Sequence, residues 1–158
     1  MARKGPAKPR VVEPDPVYRN RLVTKLINRA MRDGKKSVAQ KQVYKAFEII
    51  KGMGLDPIKV FAEAINNIKP SMEVRPRRIG GAAYQVPVAV RGSRKESLAI
   101  RWLIFGARSR PNSQYHTFAE KLVAEILDAS KGEGFAVKKR QDMERMAEAN
   151  RAFAHFRW

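Results

Sequence analysis

The chain has 158 residues, 44% of them apolar, enough for the core of one compact domain with tails. Lysine and arginine total 33 against 15 acidic residues, a net charge of +18. Such a surface calls for a polyanionic partner, nucleic acid first and an anionic membrane second. The sequence contains no cysteine, which excludes a disulfide framework and a thiolate metal site, and it holds no apolar run long enough to span a bilayer.

The opening MARKGPAKPR is basic but leads into no apolar stretch, so it does not read as a secretory signal. Residues 1–17 hold the basic side chains Arg3, Lys4, Lys8 and Arg10, four prolines and no periodicity. They read as an extended arm that orders on a polyanion. Helical spacing begins with Leu22, Val23, Leu26, Ile27, Ala30 and Met31 and stops at Asp33-Gly34. Lys35 and Lys36 follow in the turn. A second helix places Ala39, Val43, Ala46, Phe47 and Ile50 inward and ends at Gly52 and Gly54. Asp56 as N-cap and Pro57 at the first helical position open a third helix. That helix buries Val60, Phe61, Ala64, Ile65 and Ile68 before Pro70.

The pattern then changes period. MEVRPRRIGGAAYQVPVAV, residues 72–90, alternates like two strands around Gly80-Gly81, which supplies the positive φ of a tight reversal. Proline in both strands, Pro76 and Pro87, confines the pair to a two-stranded ribbon outside any larger sheet. Val74 and Val90 suit its root. The tip, with Arg75, Arg77, Arg78 and the glycines, suits a nucleic-acid groove, where arginines meet phosphates and glycines permit close approach.

Ser93 or Ser97 can cap a fourth helix carrying Leu98, Ala99, Trp102, Leu103 and Phe105, with a break at Pro111-Asn112. The fifth helix carries Phe118, Ala119, Leu122, Val123, Ile126 and Leu127. A turn at residues 131–134 leads to a last helix from Phe135 to about Ala149, thinly apolar through Val137, Met143, Met146 and Ala147. Residues 111–130 hold one basic and three acidic groups, whereas residues 70–110 hold nine and two. By charge alone the fifth helix faces solvent or protein, away from a polyanion. The tail NRAFAHFRW interleaves Phe153, Phe156 and Trp158 with Arg151, His155 and Arg157. That alternation suits looped RNA, with rings on bases and cations on phosphates. Its competing reading is an apolar end folded back on the core.

Catalytic constellations are absent from the sequence. His116 and His155 lack metal-ligand or triad spacing, no phosphate-loop motif occurs, and Glu120/Glu125 and Glu144/Glu148 read as solvated helix-surface ion pairs. No catalytic residue, cofactor or metal is expected.

MEVRPRRIGGAAYQVPVAV, then SLAIRWL and VKKRQDMERMAEANRAFAHFRW, resemble the bacterial-type family of ribosomal protein seven of the small subunit, as does VEPDPVYRNRLVTKLINRAMRDGKK. The resemblance runs from about Pro6 to Trp158. It departs at Gln42-Val43, where the family usually has two apolar residues, and is only general over residues 108–115. It implies a mainly α fold, a six-helix bundle with a projecting two-stranded β-hairpin arm and extended basic termini. The units are an arm over 1–17, a helical domain over 18–149 with the hairpin at about 72–90, and an aromatic, basic tail over 150–158.

The resemblance further implies a structural component of the cytoplasmic or an organelle ribosome. This component binds the 3′ major domain of small-subunit rRNA, nucleates assembly of the subunit head and lies near the exit-site tRNA and mRNA path. Its neighbours include small-subunit proteins nine and eleven, and it needs no membrane. The alternative is a histone-like protein that shapes DNA, against which the aromatic tail speaks. The candidate RNA-binding residues are Arg3, Lys4, Lys8 and Arg10 in the arm, and Lys35 and Lys36 after the first helix. Arg75, Arg77, Arg78, Gly80, Gly81 and Tyr84 follow in the ribbon. Arg91, Arg94, Lys95 and Arg101 stand at the start of the fourth helix and along it, and Lys138, Lys139 and Arg140 on the last. Arg151, Phe153, His155, Phe156, Arg157 and Trp158 complete the set in the tail.

Overall fold

In the computed structural model, which describes Gly5 and residues 11–156, local capping chemistry starts three of the helices. The Asn20 side chain accepts from the Leu22 N–H at 2.8 Å to begin α1 (Arg21–Ala30). After α2 (Lys36–Gly52), Asp56 accepts from the Ile58 and Lys59 N–H groups and Pro57 opens α3 (Pro57–Ile68). The hairpin follows as β1 (Met72–Ile79) and β2 (Ala82–Ala89), an antiparallel pair turning at Gly80 and Gly81, whose φ angles are 56° and 90°. Then come α4 (Gly92–Ser109), α5 (Phe118–Ser130), α6 (Gly134–Ala149) and a 3-10 turn over Arg151–Phe156. Contrary to the expected serine cap, α4 starts after Arg91 with no side-chain cap, and neither Ser93 nor Ser97 serves.

The core is a single cluster with Phe47, Phe61, Leu26, Ile50, Ile65, Leu103, Leu122 and Ile126 at its centre. Trp102 packs against it only partly buried, and Phe105, expected inward, is 58% exposed. On α6 only Ala136, Val137 and Ala147 are buried, while Met146 is exposed. α6 is therefore a docked surface helix, as its thin apolar face suggests.

The acidic fifth helix is not on the outside. α5 packs against α2, α3, α4 and α6, and buries Ala119, Leu122, Val123, Glu125, Ile126 and Ala129. Its start is a full capping box: Thr117 Oγ1 accepts from the Glu120 N–H, while the Glu120 carboxylate accepts from the Thr117 N–H. Lys121 is the one cation of the segment, and the rest of α5 is mainly apolar or acidic because it is the hub of the bundle.

Glu125 is likewise no solvated ion pair. It is 1% exposed and accepts two bonds from Arg110, at 3.0 and 2.7 Å, and one from the Ala136 N–H at 3.0 Å. It thereby closes the first turn of α6. Arg110 also pairs with Asp128 and lies 5.5 Å from the Tyr115 ring centre. Burial alone would lower the Arg110 pKa, but Asp128 and Glu125 outweigh it and hold the guanidinium above its ordinary value. These bonds fix the irregular linker over residues 108–115. Gly106 leaves the room they need, since a Cβ there would stand 2.5 Å from Glu125 Oε1.

The chain before α1 is also anchored. Asp15, grouped by sequence with the extended arm, is 3% exposed, accepts from the Val17 and Tyr18 N–H groups and receives the Tyr44 hydroxyl at 2.8 Å. Tyr18 meets Phe47 edge-on at 5.0 Å. Gln42 is half-buried within α2, and among the described residues its Oε1 is buried without a hydrogen-bond partner. The helix forms regardless.

Candidate nucleic-acid interface

Two helices present one cationic face. On α4, Arg94, Ser97, Arg101, Phe105 and Arg108 recur every three or four residues and are all exposed, so they form a single stripe. On the adjoining α1, Arg21, Asn28 and Arg29 are exposed and Lys25 is half-buried. Glu96 is the one acidic residue on either helix, and Lys25 engages it at 2.6 Å. Arg108 donates to the Ala30 carbonyl at 2.9 Å, tying the end of α1 to α4. Burial, and then the charges of Arg32 and Arg29, push the Arg108 pKa below its ordinary value. Arg29, Arg32 and Arg108 are thus gathered close enough for their charges to oppose one another. Arg21, Lys25, Arg29, Arg32 and Arg108 were not among the residues singled out by sequence. For those on the helices, spacing complementary to the buried stripe is the signal; Arg32 follows the end of α1 and has none.

The register of the hairpin puts Glu73, Arg75 and Arg77 on one face with Tyr84, Val86 and Val88. At its root the structure corrects the expected anchor. Val90 is buried, but Val74 is only half-buried, and the residue fully buried on β1 is Glu73, 3% exposed. α6 packs on the ribbon, and the Ser71 N–H and hydroxyl both donate to Glu144, at 3.0 and 2.8 Å. Glu144 is therefore a structural acceptor, with its pKa held low: burial alone would raise it, but the two bonds from Ser71 outweigh that.

Arg78, Gly80 and Gly81 are exposed at or near the tip; Arg75, expected there, is exposed nearer the root, two residues from Glu73 and paired across with Val86, and Arg77 and Tyr84 are half-buried. Arg91 is exposed just before α4, Arg94 and Arg101 are exposed on it, and Lys95 is half-buried. Lys35 and Lys36 are exposed at the start of α2. Lys138 and Lys139 are exposed on α6, with Lys139 5.5 Å from the Phe135 ring centre. Arg140 is half-buried and sits 3.7 Å from Glu144. Arg3, Lys4, Lys8, Arg10, Arg157 and Trp158 lie outside the described residues.

In the described part of the tail the rings meet the ribbon. Residues 151–156 form a 3-10 turn against β2, and Tyr84 sits 5.3 Å from Phe153 and 5.6 Å from Phe156. Both phenylalanines are half-buried in this clasp, while Arg151 and His155 remain exposed. Residues 151–156 thus fold back onto the ribbon, where the three rings cover one another from water.

The chain belongs to a family of RNA-machine proteins by its sequence as a whole: the profile described as Ribosomal protein S7p/S5e matches residues 2–151. Among its relatives, the small ribosomal subunit protein uS7 of Caldicellulosiruptor bescii is 58% identical over the whole of both chains. The proteins of the same name from Thermoanaerobacter pseudethanolicus and from a Sulfurihydrogenibium species are 57% and 55% identical, again over the whole of both chains. The chain is accordingly a ribosomal protein, of a family whose members are structural.

Proposed function

We propose that this protein is a structural component of the small ribosomal subunit, binding the 3′ major domain of its 16S-type rRNA directly and nucleating assembly of the subunit head. The observation that carries the reading is the face of α1 and α4, on which Glu96 is the single acidic residue and is already paired with Lys25. The ribbon extends that charge outward through Arg75, Arg77 and Arg78. Binding releases counterions from the RNA, and the cations of the N-terminal arm add to that release. The junction so gripped is fixed for later proteins. In this reading the protein lies at the subunit interface near the tRNA exit site, beside the mRNA path, with small-subunit proteins nine and eleven as neighbours.

The test is a binding titration with a transcript of the 3′ major domain, against duplex DNA of equal length as competitor. Affinity for the transcript should fall by about a hundredfold or more between roughly 50 and 200 mM salt, and duplex DNA should compete poorly. Equal competition by the duplex would favour a DNA-shaping protein instead. A footprint that leaves the 3′ major domain unprotected would refute the assignment.

A further inference from the structure

The hairpin root contains something that attraction by charge does not require. Glu73 is a carboxylate, 3% exposed, in a chain whose surface needs as much positive charge as it can present. Burial alone would raise its pKa, yet hydrogen bonds from Arg94 and Arg75 outweigh that and hold it below the ordinary carboxylate value. Its two oxygens are divided between two elements. Arg75, two residues along β1 on the same face, donates from Nε to Oε1 at 2.6 Å. Arg94, in the first turn of α4, donates from Nε to Oε2 at 2.6 Å. Both arginine side chains stay about half exposed, at 49% and 47%.

Two guanidinium groups that would repel each other are therefore collected on one carboxylate, each with a surface turned to solvent. An unheld arginine samples many rotamers and surrenders that freedom when it binds; one held in place has given it up on folding. A planar fork held in a fixed plane matches the paired oxygens of a phosphodiester, which a freely moving charge does not. The same carboxylate also links β1 to the start of α4, so it sets where the ribbon's arginines stand relative to the α4 stripe.

We propose that Glu73 is a positioning residue for RNA: its buried carboxylate holds Arg75 and Arg94 as a preformed fork for backbone phosphate at the hairpin root. This rests on the rRNA-binding reading above. It assigns a binding role to an acidic residue, and it gives a sign opposite to simple electrostatics. Removing a negative charge should strengthen binding to RNA if charge alone mattered; here it weakens it.

The experiment uses the full chain and the 3′ major-domain transcript. Glu73→Gln should bind about tenfold more weakly although its net charge is one unit higher, and the magnitude of its salt slope should fall by about one or two as ordered phosphate contacts are lost. Arg94→Lys keeps the charge but not the fork and should also weaken binding several-fold. In a chain carrying Arg75→Lys and Arg94→Lys, adding Glu73→Gln should cost no further affinity. Binding by Glu73→Gln that is as tight as the wild type or tighter, with the slope unchanged or larger, overturns the proposal. So does an equal loss in the double-lysine background, which would mark Glu73 as a fold residue only. Should Glu73→Gln lose its helical circular dichroism, Arg94→Lys decides, and wild-type binding by that variant overturns the proposal. A wild type that fails to bind the transcript removes the rRNA reading and this inference together. A wild type that binds beside unaffected variants removes this inference alone.

Discussion

Glu73 and Glu125 are the same side chain under nearly the same burial, and they are used in opposite directions. Around Glu125 every partner faces inward. Arg110 is itself only 16% exposed, and the remaining bond goes to the backbone at the start of α6. Around Glu73 the partners face outward, with both arginines half exposed. The first network joins three helices, and the second joins a ribbon to a helix and presents charge beyond them. A buried carboxylate with arginine partners is thus no guide to role until the exposure of those partners is known.

The largest effect that could break this contrast is at the inward site. Glu125→Ala leaves Arg110 facing a hole and removes the acceptor for the Ala136 N–H. Urea unfolding should show a loss of about 3–5 kcal/mol, the usual cost of removing one partner of a buried pair. Gly106→Ala tests the same corner by crowding, because the new Cβ meets Glu125 Oε1. Overpacking of this kind costs about 1–3 kcal/mol. If both variants unfold like the wild type, the corner is not structural and the contrast with Glu73 disappears.

At the outward region the effects on folding should be smaller. Tyr84→Ala removes the ring shared by Phe153 and Phe156, each aromatic pair contributing about 0.5–1.5 kcal/mol beyond its area. Hydrogen exchange should quicken across residues 82–89 and 151–156 while the amides of α5 stay protected. Unchanged exchange in the tail would show that the clasp does not hold it. Smallest is the pH response of Glu73. Its folded pKa lies below the unfolded value of 4.5, so its contribution is complete above that value and is lost as pH falls from there through the folded pKa. Thermal melts on the acid side should therefore decline less steeply for Glu73→Gln than for the wild type. An identical acid limb would mean that the carboxylate gains nothing from Arg75 and Arg94.

Much of the architecture is legible in the residues themselves. Asp56-Pro57 announces α3, Gly80-Gly81 the hairpin turn, and the apolar intervals of α2 its buried face, since each signal is local. The misjudged parts depend on partners far along the chain. The charge of residues 111–130 cannot distinguish a helix at the solvent from one at the centre, because the cation that neutralises Glu125 is Arg110, on the preceding linker. Glu73 looks like a stray acid in a basic ribbon until the start of α4 brings Arg94 to it. Phe153 and Phe156 announce exposed rings, but that Tyr84 covers them follows only from the packing of the tail on β2. The cations of α1 were readable as the complement of its apolar stripe. They stand at ordinary helix-surface spacing, and only the contact with α4 makes them part of a larger face.

The central position of α5 also bears on the order in which this chain is made. Asn67, near the end of α3, donates to the carbonyls of Ala129 and Ser130 at 3.0 and 2.9 Å, closing the bundle across more than sixty residues. Until those residues have been synthesised, α2 and α3 have no fifth helix to cover them. Elongation at about 5–20 residues per second makes that an interval of seconds. During it the nascent chain carries most of its positive charge and an unfinished core next to the RNA-rich machine that is making it. Contacts of high sequence separation also form slowly. Completing the core is therefore an event of the last quarter of translation, and a chain truncated before Ala129 should be a sticky polycation instead of a smaller version of the protein.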